Sequence, residues 1–352
     1  MRREHIKYDS LVALVHGITR VEDLKRPLKV IFDGEEGVDA GGVRKEFFQL
    51  IMSRLHFLNT SYGMFNENPE SHLLWFNANA TEQEDLDNFE LIGTIVGLAI
   101  YNGVLLDFPF PSILCKKLKG HEADLGDLMQ LQPDLARGLA SLLSFPGDVE
   151  STFQTTFQVT FEDIFGERKT VDLRVGGADI MVNNDNRGEY VRLYVRHILT
   201  NSIARQYDSF AKGFLKVCGG IALNLFSAAE LELLIYGNPA LDFEDLARGA
   251  RYEDGFESTS TTIGYFWTVL GEFNDEDKRN FLKFATGSDR APIDGLSQLG
   301  LIISKNTDED DRLPSAHTCF NHVLLPGYSS LETTRNRIRY AMEEASEGFA
   351  LR

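Results

Sequence analysis

Apolar residues recur every three to four positions over roughly Gly42 to Leu55, Leu86 to Asn102, Pro133 to Leu143, Arg187 to Phe214 and Ala228 to Tyr236. That spacing lays one face of a helix against a core. Shorter alternating or β-branched runs at Leu28 to Phe32, Leu73 to Asn77, Thr155 to Phe161 and Val171 to Val175 predict small strands between the helices. The pattern stops at Tyr236-Gly237-Asn238-Pro239, where Gly relieves a left-handed C-terminal turn and Pro cannot continue a helix. A second set follows: helices at about Thr262 to Phe273 and Asp275 to Phe284, strands at Leu299 to Ser304 and His322 to Leu325, and a final helix near Ser330 to Ala345. The chain therefore reads as α+β and bilobed. Residues 1–236 form a large, mostly helical N-lobe, Gly237, Asn238 and Pro239 lie in a flexible hinge over 237–240, and residues 241–352 form a small α/β C-lobe. A length of 352 residues with 43% hydrophobic content agrees with two packed units, since it exceeds what one core usually holds.

The formal net charge of -18 changes the list of partners. Phosphate neutralisation needs a basic face, and no Lys/Arg cluster of that kind is visible, so a nucleic-acid partner is excluded and a protein partner expected. The acidic run Asp308 to Asp311 reads as a solvated loop. Cys115, Cys218 and Cys319 lie about a hundred residues apart, with no C-x-x-C spacing for a metal and an odd count for disulfides, which points to a reducing compartment. The most apolar segment, Leu91 to Leu106, is too short for a bilayer and contains Thr94 and Asn102, and the N-terminus lacks a signal peptide's apolar stretch; no membrane is expected.

Cys319 sits in L-P-S-A-H-T-C-F-N, a Pro- and Ser-containing loop before a strand, and is expected to be exposed, whereas Cys115 and Cys218 have apolar surroundings and read as inert. The thiolate is the reactive form of cysteine, and His317, two residues away, would share one side of an extended segment with it; a plain structural hydrogen bond for His317 is the alternative. The phosphatase pattern C-x5-R fails because Leu325 stands six residues after Cys319. A cysteine hydrolase and an acyl carrier both remain open on spacing alone. Gly37, Gly41 and Gly42 lack the Lys-Ser/Thr of a phosphate loop and read as turn glycines. Leu135, Leu139 and Leu142 form a helical stripe followed by Phe145, which on pattern alone is an ordinary core stripe.

The segment L-P-S-A-H-T-C-F-N followed by H-V-L-L-P-G-Y resembles the active-cysteine loop of HECT ubiquitin ligases. Upstream, G-V-D-A-G-G-V-R-K-E-F-F at Gly37 to Phe48, F-E-L-I-G-T-I-V-G-L-A-I-Y-N at Phe89 to Asn102 and T-G-S-D-R-A-P at Thr286 to Pro292 resemble the family's other signatures in order, so the resemblance covers essentially a whole catalytic domain. In detail the chain is most similar to the branch containing the Angelman-syndrome ligase.

That resemblance implies an N-lobe that recruits a charged ubiquitin-conjugating enzyme and a C-lobe in which Cys319 accepts ubiquitin as a thioester and passes it to a lysine of a protein substrate or of ubiquitin. No metal and no cofactor are implied, and the location is cytoplasmic or also nuclear. Thr318, Phe320 and Asn321 would shape the thioester pocket, with His317 supporting. Leu135, Leu139, Leu142, Phe145, Phe153, Tyr190 and Tyr194 match the groove for an aromatic residue of the conjugating enzyme, where Thr155 departs by being polar; Val323 departs harmlessly from Leu. Phe349, fourth from the end, matches a residue that docks the lobes. The attacking lysine needs a proton acceptor, for which Asp308 to Asp311 is one source and an N-lobe acid another. A non-catalytic scaffold that kept the fold is the alternative reading.

Overall fold

In the computed structural model the described residues are 5–6, 9, 20–34, 42–54, 63–106, 109–162 and 167–350, side chains at 49, 53–54, 162 and 346–350 excepted. The N-terminal part contains helices α1 (Val21–Leu24), α2 (Gly42–Arg54), α3 (Gln83–Tyr101), α4 (Ile113–Leu118), α5 (Leu125–Leu131), α6 (Pro133–Ser144), α7 (Val149–Phe153), α8 (Arg187–Arg196), α9 (Ala204–Cys218), α10 (Ile221–Asn224) and α11 (Ala228–Tyr236). Two antiparallel hairpins accompany them, β1 (Phe65–Glu67) with β2 (Leu74–Phe76) and β3 (Gln158–Glu162) with β4 (Arg168–Asp172).

The frame of this lobe is a crossing of α3 and α9 so close that side chains are excluded from it. A Cβ on Gly93 would lie 1.9 Å from the Phe210 carbonyl oxygen, and one on Gly213 1.9 Å from the Glu90 carbonyl oxygen. Only glycine lets two helix backbones approach in this way. Glu90 closes the same crossing with its carboxylate, which accepts hydrogen bonds from Lys212 at 2.6 Å and from Lys216. Phe89, Phe210 and Phe214, fully buried, fill the sides.

After Tyr236 come α12 (Phe243–Gly249), β5 (Arg251–Glu253), α13 (Thr261–Gly271), α14 (Asp275–Thr286), β6 (Ile302–Lys305), β7 (Ser315–His317), β8 (His322–Leu325) and α15 (Leu331–Ala350). The four strands form one mixed sheet in the order β5-β6-β8-β7, with β6 parallel to β5 and β8, and β7 antiparallel to β8. Ile303, Val323 and Leu325 from the sheet pack with Phe266, Phe281 and Ile338 from the helices. The buried apolar residues fall into two clusters, one running to Ile235 with Tyr236 against it, the other from Phe243 with Leu241 against it. Between them Gly237 holds a φ of 82°, and Asn238 and Ala291 exchange backbone hydrogen bonds of 2.7 and 2.9 Å.

Several elements differ from the sequence pattern. The expected helix from Arg187 to Phe214 is interrupted by a π turn at His197–Asn201. Such a turn inserts extra residues yet lets both flanking helices keep their apolar faces on the core, so periodicity hides it. Leu28 to Phe32 is not a strand, although Val30 and Phe32 are buried and Ile31 is exposed, which is a strand's alternation. Strand β4 ends at Asp172, leaving Val175 wholly exposed. Leu299 belongs to a 3-10 turn at Leu296–Leu299, because Gly300 in the left-handed region separates it from β6. Gly42 opens α2 rather than a turn, and Gly37 and Gly41 lie outside the described residues.

Gly93→Ala or Gly213→Ala should destabilise the chain by about 3 kcal/mol or more, because the obstacle is helix backbone that cannot step aside. Gly264→Ala, in open space on α13, should instead stabilise it by up to about 1 kcal/mol through helix propensity. Thermal unfolding midpoints of the three variants check this ordering.

Candidate functional site

Cys319 occupies the four-residue tip of the hairpin formed by β7 and β8, which pair from His317 opposite His322. Thr318 to Phe320 make a single 3-10 turn, and Asn321 follows in the left-handed conformation at φ 50°. Asparagine tolerates that conformation better than most residues. From it the Asn321 backbone carbonyl accepts from Ile302 N at 2.9 Å, continuing the β6–β8 ladder, and its side-chain amide donates to the Leu299 carbonyl at 2.9 Å. The tip is thus tied to the sheet one residue beyond the thiol-bearing turn.

Cys319 was expected to be exposed and is half-buried, because the tip packs on α2 of the N-lobe. The link is Lys45. Its ammonium donates to the Thr286 carbonyl at 2.6 Å, the Thr318 carbonyl at 3.0 Å and Asn321 Oδ1 at 2.7 Å. Burial lowers the Lys45 pKa to about 8, against the opposing influence of Cys319's charge. Sequence reasoning passed over Lys45, although its own signature G-G-V-R-K-E-F-F contains it. In that signature Phe47 and Phe48 turn into the N-lobe core with rings 5.2 Å apart, and Arg44 donates to Asn102 Oδ1 at 3.2 Å. The T-G-S signature supplies the other half. Gly287 ends α14 at φ 77°, while the Thr286 hydroxyl donates to the Leu282 and Ser288 carbonyls and leaves the Thr286 carbonyl turned to Lys45.

His317 is exposed and does not lie one strand repeat from the thiol, since a 3-10 turn starts at Thr318; its ring is 6.0 Å from that of His322, which shares a 2.7 Å hydrogen bond with Ser304. Phe320 is 53% exposed and Thr318 half-buried. Phe349 is on the last turn of α15, and its side chain lies outside the described residues. The acidic run is occupied locally: Asp308 pairs with Lys305 and Glu309 with Arg312, and Asp310 accepts from the Ser329 backbone at 2.8 Å and from the Ser329 hydroxyl.

The stripe on α6 splits in two. Leu139 and Leu142 are buried in the N-lobe core, as is Tyr190, while Leu135, Phe145, Phe153 and Tyr194 are half-buried against it. Phe145 and Phe153 meet edge-on at 5.3 Å, and Tyr190 and Tyr194 at 5.7 Å. Arg187 at the start of α8 joins the two sides by donating to the Phe145 carbonyl at 2.7 Å and the Leu142 carbonyl at 3.3 Å. The polar Thr155 lies near the Tyr190 hydroxyl and opposes the rise in its pKa that burial causes. Val323 is buried in β8. Among the described residues no group of His, Cys, Asp and Glu could hold a metal ion, and no helix is long and apolar enough to cross a membrane.

Burial drives the Cys115 thiol far above its ordinary pKa and raises Cys218 to about 11. At pH 8 only about one part in a thousand of Cys218 is then thiolate. Limited iodoacetamide at pH 8 should therefore label Cys319 in the native chain, with Cys115 and Cys218 labelled only after denaturation. Peptide mass spectrometry reads the difference.

A model of the HECT-domain (ubiquitin-transferase) family matches residues 49–352. The chain is 44% identical over its whole length to the Homo sapiens "Probable E3 ubiquitin-protein ligase HERC4", of which it covers 32%. It is 40% identical to the Mus musculus "Probable E3 ubiquitin-protein ligase HECTD2", covering 46%, and 36% identical to the "Probable E3 ubiquitin-protein ligase HUL4" of Eremothecium gossypii, covering 43%. The chain thus spans about a third to a half of the length of these relatives. Their names do not support the finer placement beside the Angelman-syndrome ligase. With a family model matched over most of its length, and with the signature segments meeting in space at Lys45 and Cys319, the chain belongs to the HECT-domain (ubiquitin-transferase) family.

Proposed function

We propose that this chain accepts ubiquitin from a ubiquitin-conjugating enzyme onto Cys319 and transfers it to a lysine. In the first step the Cys319 thiolate attacks the carbonyl carbon of the incoming thioester; a new C–S bond forms and the conjugating enzyme's sulfur leaves as thiolate. In the second a lysine amine attacks, the C–N bond forms, the C–S bond breaks and the amine gives up a proton. The observation that carries this reading is the contrast among the three cysteines. Cys115 is buried and Cys218 is half-buried with its thiol against the Gly97 carbonyl, both hard to ionise, whereas Cys319, also half-buried, stands on an anchored hairpin tip beside a cation. Exchange between thioesters is nearly balanced in energy, so positioning is the protein's main task.

In this reading the half-buried Leu135, Phe145, Phe153 and Tyr194 take the conjugating enzyme's aromatic side chain, with Leu139, Leu142 and Tyr190 as the floor beneath. Aromatic anchors set in such pockets dominate interface energies. Thr318, Asn321, Phe320 and His317 surround the thioester. Asp308 to Asp311 are less suited to accept the amine's proton, since their nearest partners are Lys305, Arg312 and Ser329. Gly237, Asn238 and Pro239 serve as the hinge on which Cys319 turns from conjugating enzyme to substrate. A reducing cytoplasmic or nuclear setting goes with three free cysteines.

Mixed with activating enzyme, a panel of conjugating enzymes, ATP and ubiquitin, the chain should form a thiol-sensitive ubiquitin adduct that Cys319→Ala abolishes and Cys115→Ala or Cys218→Ala retains. A hydrolase would release free ubiquitin without an adduct, and a scaffold would bind without one. An adduct surviving Cys319→Ala sinks the assignment. Tyr194→Ala should weaken conjugating-enzyme binding by about 1 to 3 kcal/mol with unfolding still cooperative, whereas Leu139→Ala should lower stability by about 2 to 5 kcal/mol as a core deletion. Calorimetric titration and thermal melts separate the two effects.

A further inference from the structure

We propose that Lys45 is a positioning residue for the transfer step, an N-lobe latch that holds the Cys319 turn by both of its flanks. The inference rests on the ligase reading above and adds a residue to it. A lysine ammonium has three donors, and here Thr286, Thr318 and Asn321 supply an acceptor for each. All three acceptors lie beyond the hinge, on the other lobe. Two of them bracket the nucleophile: the Thr318 carbonyl immediately precedes Cys319, and the Asn321 side chain stands two residues after it.

The arrangement differs from an ordinary surface cation. None of the three acceptors carries a formal charge, so the ammonium has left water for neutral oxygens, and the charge it meets is that of Cys319. The Lys45 stem is held from its own side, since Arg44 is bonded to Asn102 and Phe47 and Phe48 are packed in the core. An ammonium fixed at one end in the N-lobe and at the other around the turn sets where the sulfur points.

That constraint acts unequally on the two half-reactions. During loading the conjugating enzyme holds and presents its own thioester. During discharge the Cys319 thioester is held by this chain's residues while an amine approaches, so the orientation of the turn limits the rate. The amine nitrogen bonds to the carbonyl carbon, the C–S bond breaks, the surplus proton passes to solvent, and the sulfur departs as a thiolate facing the Lys45 ammonium.

The test uses the full chain, charged with ubiquitin in a single turnover and then chased with free lysine. Lys45→Met keeps an unbranched stem and removes charge and donors; Lys45→Arg keeps the charge. For Lys45→Met, charging should stay within about threefold of the wild type while discharge falls about tenfold or more, and Lys45→Arg should recover part of the loss. Lys45→Gln carries the same comparison if Lys45→Met abolishes cooperative unfolding. Wild-type discharge in the uncharged variants, equal losses in both steps, or an arginine variant no better than methionine would each overturn the latch while leaving the ligase reading intact. A wild-type chain that never charges removes both.

Discussion

The backbone contact between α3 and α9 fixes the geometry on which the Cys319 turn rests. Because Gly93 and Gly213 bring carbonyl oxygens of one helix against the Cα atoms of the other, the two helices have a single way to cross. Asn102, just past the end of α3, is then placed to accept from the Leu28 backbone and from Arg44, which pins α2. On the next residue of α2 is Lys45. A constraint buried in the N-lobe is passed in this way, through one asparagine, one arginine and one lysine, to the turn that bears Cys319. Packed interiors transmit displacement rather than absorb it, which is why so short a relay is sufficient.

The C-lobe meets this relay with equal economy. Its mixed sheet places β7 and β8 as a hairpin, and a sharp 3-10 turn with left-handed Asn321 presents the thiol at the tip. The same Asn321 bonds the sheet through its backbone, Leu299 through its amide and Lys45 through its carbonyl oxygen. One residue therefore joins fold, turn and lobe contact. The C-terminal end of α14 adds the Thr286 carbonyl, an acceptor that a helix end leaves over and that Lys45 satisfies.

Among the described residues the lobes meet through the Lys45 hydrogen bonds and the backbone pair of Asn238 and Ala291, and the two apolar cores remain separate on either side. Interfaces of that polar kind are the ones that exchange partners readily. Such a contact is compatible with the proposed turning of Cys319 between two partners. The half-buried aromatic residues around α6 and α8 lie on different helices from the one that carries Lys45, so the proposed recruiting groove and the proposed latch are separate surfaces of one lobe.

By itself the sequence determined the class of fold, and it singled out Cys319 as the candidate nucleophile. Helical periodicity placed α2, α3, α6 and α11 within a few residues, Gly237 and Pro239 marked where the first set of elements stops, and the cysteine loop with its three accompanying signatures carried the family. These are local properties, written in spacing and in residues with special backbone demands. The tertiary structure decided what spacing cannot encode. The π turn between α8 and α9 is invisible to a periodicity that survives it, and Leu28 to Phe32 alternates like a strand because one side is buried, without forming one. Leu139 and Leu142 turn inward while Phe153 and Tyr194 stay open, a division set by what packs over each. Lys45 stands more than 270 positions from Asn321. Only chain folding could bring its charge to the cysteine turn, since a contact between lobes leaves no mark on the residues next to either partner.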